Sequence, residues 1–484
     1  FPHDALPIFE SNISEAGEYM TQYFAWWIVL AFIAHTAFAI FLWTRLRPVY
    51  MPRGRAWVVA TALLVAIIGY PLAKQMSRHE TTAEGLEAFE SRVEPAVPWQ
   101  MIVAYHRYTQ QLDSMQDMLT SSSNIAPLKN LKDQQAGLPT TLVLVIGEST
   151  NRGRMHLYGY PRQTTPNLDA MKDQLQVFDN VITPRPYTIE ALQQVLTFAD
   201  EENPDLYLKT PSIVSVMKQA GYKTFWITNQ QTMTKRNTML TTFSEQADEQ
   251  VYLNNNRNQN ARQYDGDVLE PFAKALTDAA PRKLIVVHLL GTHMAYQYRY
   301  PQEYEKFTGR DGVPAAIDDS KLELYNSYDN AVLYNDFVVS SLIRTYSKAD
   351  PNGFLLYLSD HGEDVYDSPG HDTLGRNEAK PTIPMYTVPF IAYASPKWRE
   401  THNWNFDSIH SRAYSSSNLI HTWAQLAGLS FDELDTTKSL VSFDFKERPR
   451  LIGDPYAQKG LSDFAVMEKA AAQQPPAPEV AAAK

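Results

Sequence analysis

Two apolar runs near the amino terminus restrict this chain more than anything else in it. Residues 24–43 read FAWWIVLAFIAHTAFAIFLW, and residues 57–73 read WVVATALLVAIIGYPLA. A bilayer core is crossed by a helix of roughly 17–25 apolar residues. Inside lipid, every backbone amide must bond within its own segment, which makes helix the form these runs can take. Between them, TRLRPVYMPRGR (44–55) carries Arg45, Arg47, Arg53 and Arg55 and no acid. An excess of Lys and Arg marks the cytoplasmic side, so this loop is expected there and everything after about Lys74 on the opposite side. Trp26, Trp27, Trp43 and Trp57 stand where interfacial aromatics belong. Buried core helices would be as apolar, but they would need neither the arginine loop nor the tryptophan flanks. His35, inside the first run, reads as a helix-packing residue. Residues 1–73 are thus the expected membrane part of the chain.

Residues 74–138 are polar, with a weakly amphipathic stretch over 99–119. They read as a linker whose helices lie at the bilayer surface, or as a solvated connector. The last residues, 461–484, end in AAAQQPPAPEVAAAK and read as a disordered tail. The chain opens on Phe1, not Met, and reads as a fragment or processed form of a longer protein. Its 43 basic against 54 acidic residues leave a formal charge of -11, which argues against nucleic acid as a partner. There is no cysteine, so disulfides and thiolate metal sites are excluded.

Over 139–460 the pattern is α/β. Short apolar runs recur at 141–147, 223–228, 283–290, 353–359 and 388–394, separated by polar and helical stretches. Continuous apolar runs of this length suit strands buried on both faces, and predict a largely parallel sheet covered by helices. Sites in such sheets form at the carboxyl ends of strands. There the chain places Glu148-Ser149-Thr150, Gly291-Thr292-His293 and Asp360-His361-Gly362-Glu363. Carboxylates and a histidine at strand ends can converge on one cation, and oxygen and nitrogen donors suit Zn²⁺. Taken alone, Asp360 could cap a helix and His361 lie on the surface, but Glu148 at the matching end of another strand favours a metal site. Ser149 and Thr150 could be nucleophiles, and GEST also fits a helix N-cap. His288 reads as a satisfied core residue, and His402, His410 and His421 carry no spacing signal. No glycine-rich phosphate loop is present, so no nucleotide donor is expected.

LVLVIGESTNRGRMHLYGYPRQTTPNLD, VITPRPYTIEALQQVLTFAD, FWITNQQT, HLLGTH and LSDHGEDVYDSPGHDTLGRNE together resemble the membrane phosphoethanolamine transferases of Gram-negative bacteria. The resemblance covers nearly the whole chain and is strongest to the inner-core (CptA/EptC) type. It implies a periplasmic domain of the sulfatase/alkaline-phosphatase fold on a multi-pass inner-membrane anchor. It also implies zinc held by Glu148, Asp360, His361 and Thr188, with Thr188 as the nucleophile. From the residues alone, Thr188 is only a hydroxyl ahead of a helix-like run, and an N-cap by default. By the same resemblance His293 and His371 lie near the phosphoethanolamine and take part in proton transfer, and Asn229 is a polar substrate contact. The implied donor is phosphatidylethanolamine, and the implied acceptor is the lipopolysaccharide core, at an inner-core heptose. The same chemistry on lipid A or a periplasmic glucan, a simple sulfatase or phosphatase, and a non-catalytic membrane sensor are the alternatives. Lipid A-modifying relatives have disulfides in this domain, and the absence of cysteine moves the chain away from them. Family members also carry more membrane spans than the two visible here, which implies that the first ones are missing from this chain.

Overall fold

The computed structural model describes residues 26–46, 51–78 and 127–473, apart from 231–238, 255–263, 403, 405 and 457–459, together with Phe89, Tyr105, Thr109 and Asp113. The chain divides into two compact units, His3–Gln111 and Leu112–Lys484, the latter joined by Phe1–Pro2.

In the smaller unit the apolar runs are helices, α1 (Trp26–Arg45) and α2 (Arg53–Met76). By length and composition α2 can cross a membrane, whereas the apolar part of α1, Val29–Arg45, is shorter. Their large side chains point outward, with Trp26, Phe32 and Trp57 more than 70% exposed. For a water-soluble chain such faces would be costly; for lipid they are the expected surface. One turn of α2, Val65–Gly69, widens to a π-helix just ahead of Pro71. Proline lacks an N–H and its ring crowds the carbonyl of the preceding turn, and a wider turn relieves both.

Most of the 74–138 linker lies outside the described residues, but its end does not behave as a linker. Leu128 is buried, Lys132–Asp133 pairs with Leu429–Ser430, and Arg282 forms an ion pair with Asp133. The soluble domain therefore begins before 139.

Its centre is a seven-stranded sheet built from β1 (Thr140–Gly147), β2 (Leu175–Phe178), β3 (Lys223–Thr228), β4 (Glu249–Tyr252), β5 (Arg282–His288), β6 (Phe354–Ser359) and β7 (Phe390–Ala394). The order is β2-β7-β6-β1-β5-β3-β4. Strands β6, β1, β5, β3 and β4 run parallel, and β7 runs antiparallel to both of its neighbours. Strand β1 is buried along its whole length, because β5 and β6 flank it and both of its faces are covered. Val143, Val145, Ile285, Val287 and Tyr357 pack on one face against Phe272 of α4 (Leu269–Leu276) and Tyr328, Val332 and Val339 of α5 (Asp319–Ala349). On the other face Phe354 meets Trp398 and Trp423 edge-on, at 5.7 and 5.1 Å between ring centres. This is the predicted largely parallel sheet packed between helices.

A buried ion network ties the strand ends to α5. Arg154 pairs with Asp329 at 2.8 Å and Asp367 at 2.9 Å, and stacks on Tyr325 at 3.6 Å. Arg162 shares Asp329 at 2.8 Å. Breaking one partner of such a network would leave a buried charge unpaired, so it holds the loops after β1 and β6 in a fixed relation.

The tail does not begin at 461. Ser462–Asp463 pairs with Leu451–Ile452, and a helix follows over Phe464–Ala472. Phe464 is fully buried against Ile182, Met385, Tyr386 and Ile452, and this apolar anchor outweighs the low-complexity composition that follows. Residues 474–484 of the predicted tail lie outside the described residues.

Candidate active site

Two adjacent strand ends supply the core of the site. Glu148 follows β1, and Asp360 and His361 follow β6, the strand beside it. Their ligand atoms lie within 4.8 Å of one another and all three side chains are buried. His361 Nε2 is 2.9 Å from Glu148 Oε1 and 3.4 Å from Asp360 Oδ2. The other ring nitrogen, Nδ1, donates to Gly362 O at 2.8 Å, which turns Nε2 toward the carboxylates.

Acceptor atoms this close repel unless a cation or proton lies among them. Burial alone would raise the Glu148 carboxyl, but His361, with smaller help from His293 and Arg376, takes it well below its ordinary value. Asp360 goes the other way, pushed well up first by burial and then by the Glu148 charge. Asp360 Oδ1 accepts from Ser149 N and His361 N, at 3.2 and 2.6 Å, while Oδ2 has no partner among the described residues. A buried carboxylate oxygen without a donor is costly unless something fills the place in front of it. Two carboxylates, one of them with that open oxygen, and an imidazole nitrogen fit a divalent cation such as zinc.

Thr188 opens the helix α3 (Thr188–Val195), and the cap position belongs to Tyr187. Its hydroxyl donates to Glu148 Oε2 at 2.9 Å and lies 3.2 Å from His361 Nε2. Ser149, Thr150 and Thr292 also line this region, but each is completely buried. Ser149 Oγ donates to Glu148 Oε1 at 2.8 Å, and Thr150 Oγ1 to Glu148 O at 3.2 Å. Thr188 is half-buried, so it alone of these described hydroxyls combines the cluster with access. The helical turn after GEST is capped by Asn151, which accepts from Gly153 N at 2.8 Å; neither Ser149 nor Thr150 is the cap.

Asp265 organises the neighbouring strand ends. Its carboxylate accepts from Leu290 N at 2.9 Å, Gly291 N at 2.7 Å and Asn229 Nδ2 at 2.8 Å. Gly291 has φ +55°, and a Cβ there would fall 2.5 Å from Glu148 O, so the turn that carries His293 past Glu148 requires glycine. His293 donates from Nδ1 to Met294 O at 2.6 Å; burial lowers its pKa to about 4, against a smaller upward pull from Glu148. Asn229 is held from behind by Asp265; the next residue, Gln230, donates to Glu148 Oε2 at 3.1 Å.

The structure thus brings Glu148, Thr188, Asp360 and His361 together, with His293 close enough to act on the Glu148 charge. His371 accepts from Lys321 on its carbonyl and bonds through Nδ1 to Tyr366 O at 2.6 Å; among the described residues no contact joins it to the cluster. His288 is a core residue but not a satisfied one. It is fully buried, its ring nitrogens have no described partner, and burial takes it down to about 4. Gln230, Asp265 and Arg376 escaped the sequence reading, since a lone polar residue in a loop carries no spacing. Only the position of Gln230 at the end of β3 could have pointed to it.

The Sulfatase family profile matches residues 140–429. Over 462 residues the chain is 56% identical to phosphoethanolamine transferase EptC of Escherichia coli, covering 94% of this chain and 80% of that protein. It is 55% identical over 462 residues to phosphoethanolamine transferase CptA of Salmonella typhimurium, with the same coverage. The crystal structure of the C-terminal periplasmic domain of E. coli EptC, in complex with zinc, superimposes with a TM-score of 0.70 at 59% identity, covering 71% of this chain and 97% of that one.

Proposed function

Since the chain belongs to the sulfatase family, and within it to the phosphoethanolamine transferases, we propose that it moves phosphoethanolamine from phosphatidylethanolamine to the lipopolysaccharide core through a covalent intermediate on Thr188. One observation carries this reading: the accessible Thr188 hydroxyl is held between Glu148 and His361. Glu148, Asp360, His361 and Thr188 would hold zinc, as the zinc complex of the relative supports. When bound there, the ion would supply Lewis-acid stabilisation to the threonine oxygen and to charge gathering on the phosphoryl group.

The residues themselves do the following. Thr188 Oγ1 attacks the donor phosphorus, its proton passing to an acceptor in the cluster, and the bond to the diacylglycerol oxygen breaks. Diacylglycerol leaves with a proton, and phosphoethanolamine stays on Thr188. An acceptor hydroxyl then attacks, the Thr188 oxygen–phosphorus bond breaks, and Thr188 recovers its proton. His293 is assigned to take the acceptor's proton: its Nδ1 is engaged by Met294 O, which leaves Nε2 of the neutral ring to act as the base. His371 and Asn229 are assigned to the phosphoethanolamine, His371 on the 366–371 turn and Asn229 anchored by Asp265.

The acceptor we assign is an inner-core heptose or its phosphate. Lipopolysaccharide from cells with and without the full-length protein, split by mild acid into lipid A and core, should differ by phosphoethanolamine in the core fraction. Enzyme-dependent phosphoethanolamine in lipid A alone would overturn the acceptor and keep the chemistry.

We further assign the enzyme to the bacterial inner membrane as a multi-pass protein, with loop 44–55 cytoplasmic and the catalytic domain periplasmic. This chain lacks cysteine, so single thiols introduced into it report on topology when compared with the parent. In intact cells with a permeabilised outer membrane, an impermeant thiol reagent should label Lys129→Cys and spare Gly54→Cys. The opposite pattern would reverse the orientation.

A further inference from the structure

The turn that carries His371 is built against local preference. Tyr366 and His371 adopt φ of +63° and +49°, in the left-handed region that a side chain makes costly. Such residues persist only where their surroundings over-determine them. Here the surroundings can be named. The two legs of the turn pair with each other, Asp364–Val365 with Leu374–Gly375. Within it, buried Asp364 accepts from Asp367 N at 2.9 Å and from the hydroxyls of Ser368 and Thr382. His371 adds two bonds of its own. Its backbone N–H donates to Ser368 O at 2.9 Å, and its ring Nδ1 to Tyr366 O at 2.6 Å. The ring bond ties one left-handed residue to the other. It fixes the imidazole and leaves Nε2 as the nitrogen open to a ligand.

Helix α5 grips this turn twice. Asp329 holds Arg154, and Arg154 holds Asp367, in the buried network described above. That grip secures the first half of the turn. In the first turn of α5, Lys321 donates from Nζ to His371 O at 2.7 Å. The same ammonium lies 5.2 Å from the centre of the Tyr366 ring. One cation therefore touches both left-handed residues, by a charged hydrogen bond and by a ring face. Asp318, which caps α5, stands 3.5 Å from the ammonium and steadies it. Among the described residues, Lys321 is the polar partner from outside the turn that reaches His371 itself.

We propose that Lys321 is a positioning residue for His371: it clamps the left-handed turn and so fixes the imidazole for the phosphoethanolamine group. The proposal rests on the assignment of His371 to that group, and its test separates the two. The full-length protein in detergent is prepared as the parent, Lys321→Met, Lys321→Arg, His371→Ala, and Lys321→Met combined with His371→Ala. Amide exchange over 366–371 is followed by mass spectrometry, and kcat and KM are measured for phosphatidylethanolamine. Lys321→Met keeps most of the aliphatic stem and loses the charge, so the fold should be retained. Exchange over 366–371 should be at least about fivefold faster than in the parent, the effect of a lost charged hydrogen bond on a local opening. KM should rise about fivefold with kcat within about twofold, because a misplaced substrate contact weakens ground state and transition state alike. Lys321→Arg keeps a charged donor and should restore most of both. The double variant should have the KM of His371→Ala alone, since the clamp has nothing to position once the imidazole is gone. Unchanged exchange in Lys321→Met overturns the clamp. Effects of the two substitutions on KM that multiply overturn the action through His371. A His371→Ala variant with the parent's KM overturns the assignment of His371 to phosphoethanolamine, while faster exchange in Lys321→Met still establishes the clamp.

Discussion

Thr188→Ala is expected to transfer no measurable phosphoethanolamine, a fall of at least about 10³-fold, because among the described residues no other hydroxyl at the cluster is accessible as the bond-forming atom. Ser149 and Thr150 are nearer in sequence to Glu148, yet both are completely buried and their oxygens are engaged by Glu148 itself. The variant should still fold. Thr188 is half-buried, and the hydrogen bonds it gives up are worth about 1 kcal/mol each. The diagnostic measurement is intact mass after incubation with phosphatidylethanolamine. The parent should gain one phosphoethanolamine and the variant none. Peptide mapping that places the adduct on Ser149 or Thr150 would sink the assignment.

Zinc should stabilise the parent protein strongly and a variant lacking its carboxylates not at all. An ion present at about 100 times its dissociation constant adds about 2.7 kcal/mol to the unfolding free energy. In Glu148→Ala combined with Asp360→Ala that increment should vanish, together with the bound zinc measured by elemental analysis. Retained zinc would mean that the metal binds elsewhere. The sign of the pH dependence follows from Asp360. Its carboxyl is pushed well above the ordinary value by burial and by Glu148, so without metal it keeps its proton as pH rises. A metal must expel that proton, and zinc affinity should therefore fall as pH is lowered. Calorimetry in buffers of different ionisation enthalpy counts the proton released.

How much of this was legible beforehand depended on what each residue does. The five strands read from the sequence are buried on both faces or nearly so, and such strands announce themselves as unbroken apolar runs. The two edge strands do not. Strand β4 reads EQVY and is largely exposed, and β2 reads LQVF with its middle half-buried. The reversed direction of β7 was equally silent, since an apolar run has no sign. Glu148, Asp360 and His361 were visible because charged residues directly after buried strands are unusual. Thr188 was recognised only through resemblance; it follows no long strand, and its place depends on the Arg185–Glu378 pair, whose members are 193 residues apart. Gln230 and Arg376 depend on contacts of the same long-range kind. The fold was thus written in local pattern, and the finer site in distances that no local pattern encodes.

The buried Phe464 has a consequence for how the protein comes into being. It packs on Met385 and Tyr386, and Met385 O receives Gly362 N at 2.9 Å, next to His361. The turn that presents the histidine thus rests on Phe464, while Glu148 was made more than 300 residues earlier. A polypeptide still being synthesised carries the early half of the site with nothing to close it. Closing of the metal site therefore has to wait for that residue: a molecule cut short before Phe464 lacks the packing that backs the histidine turn.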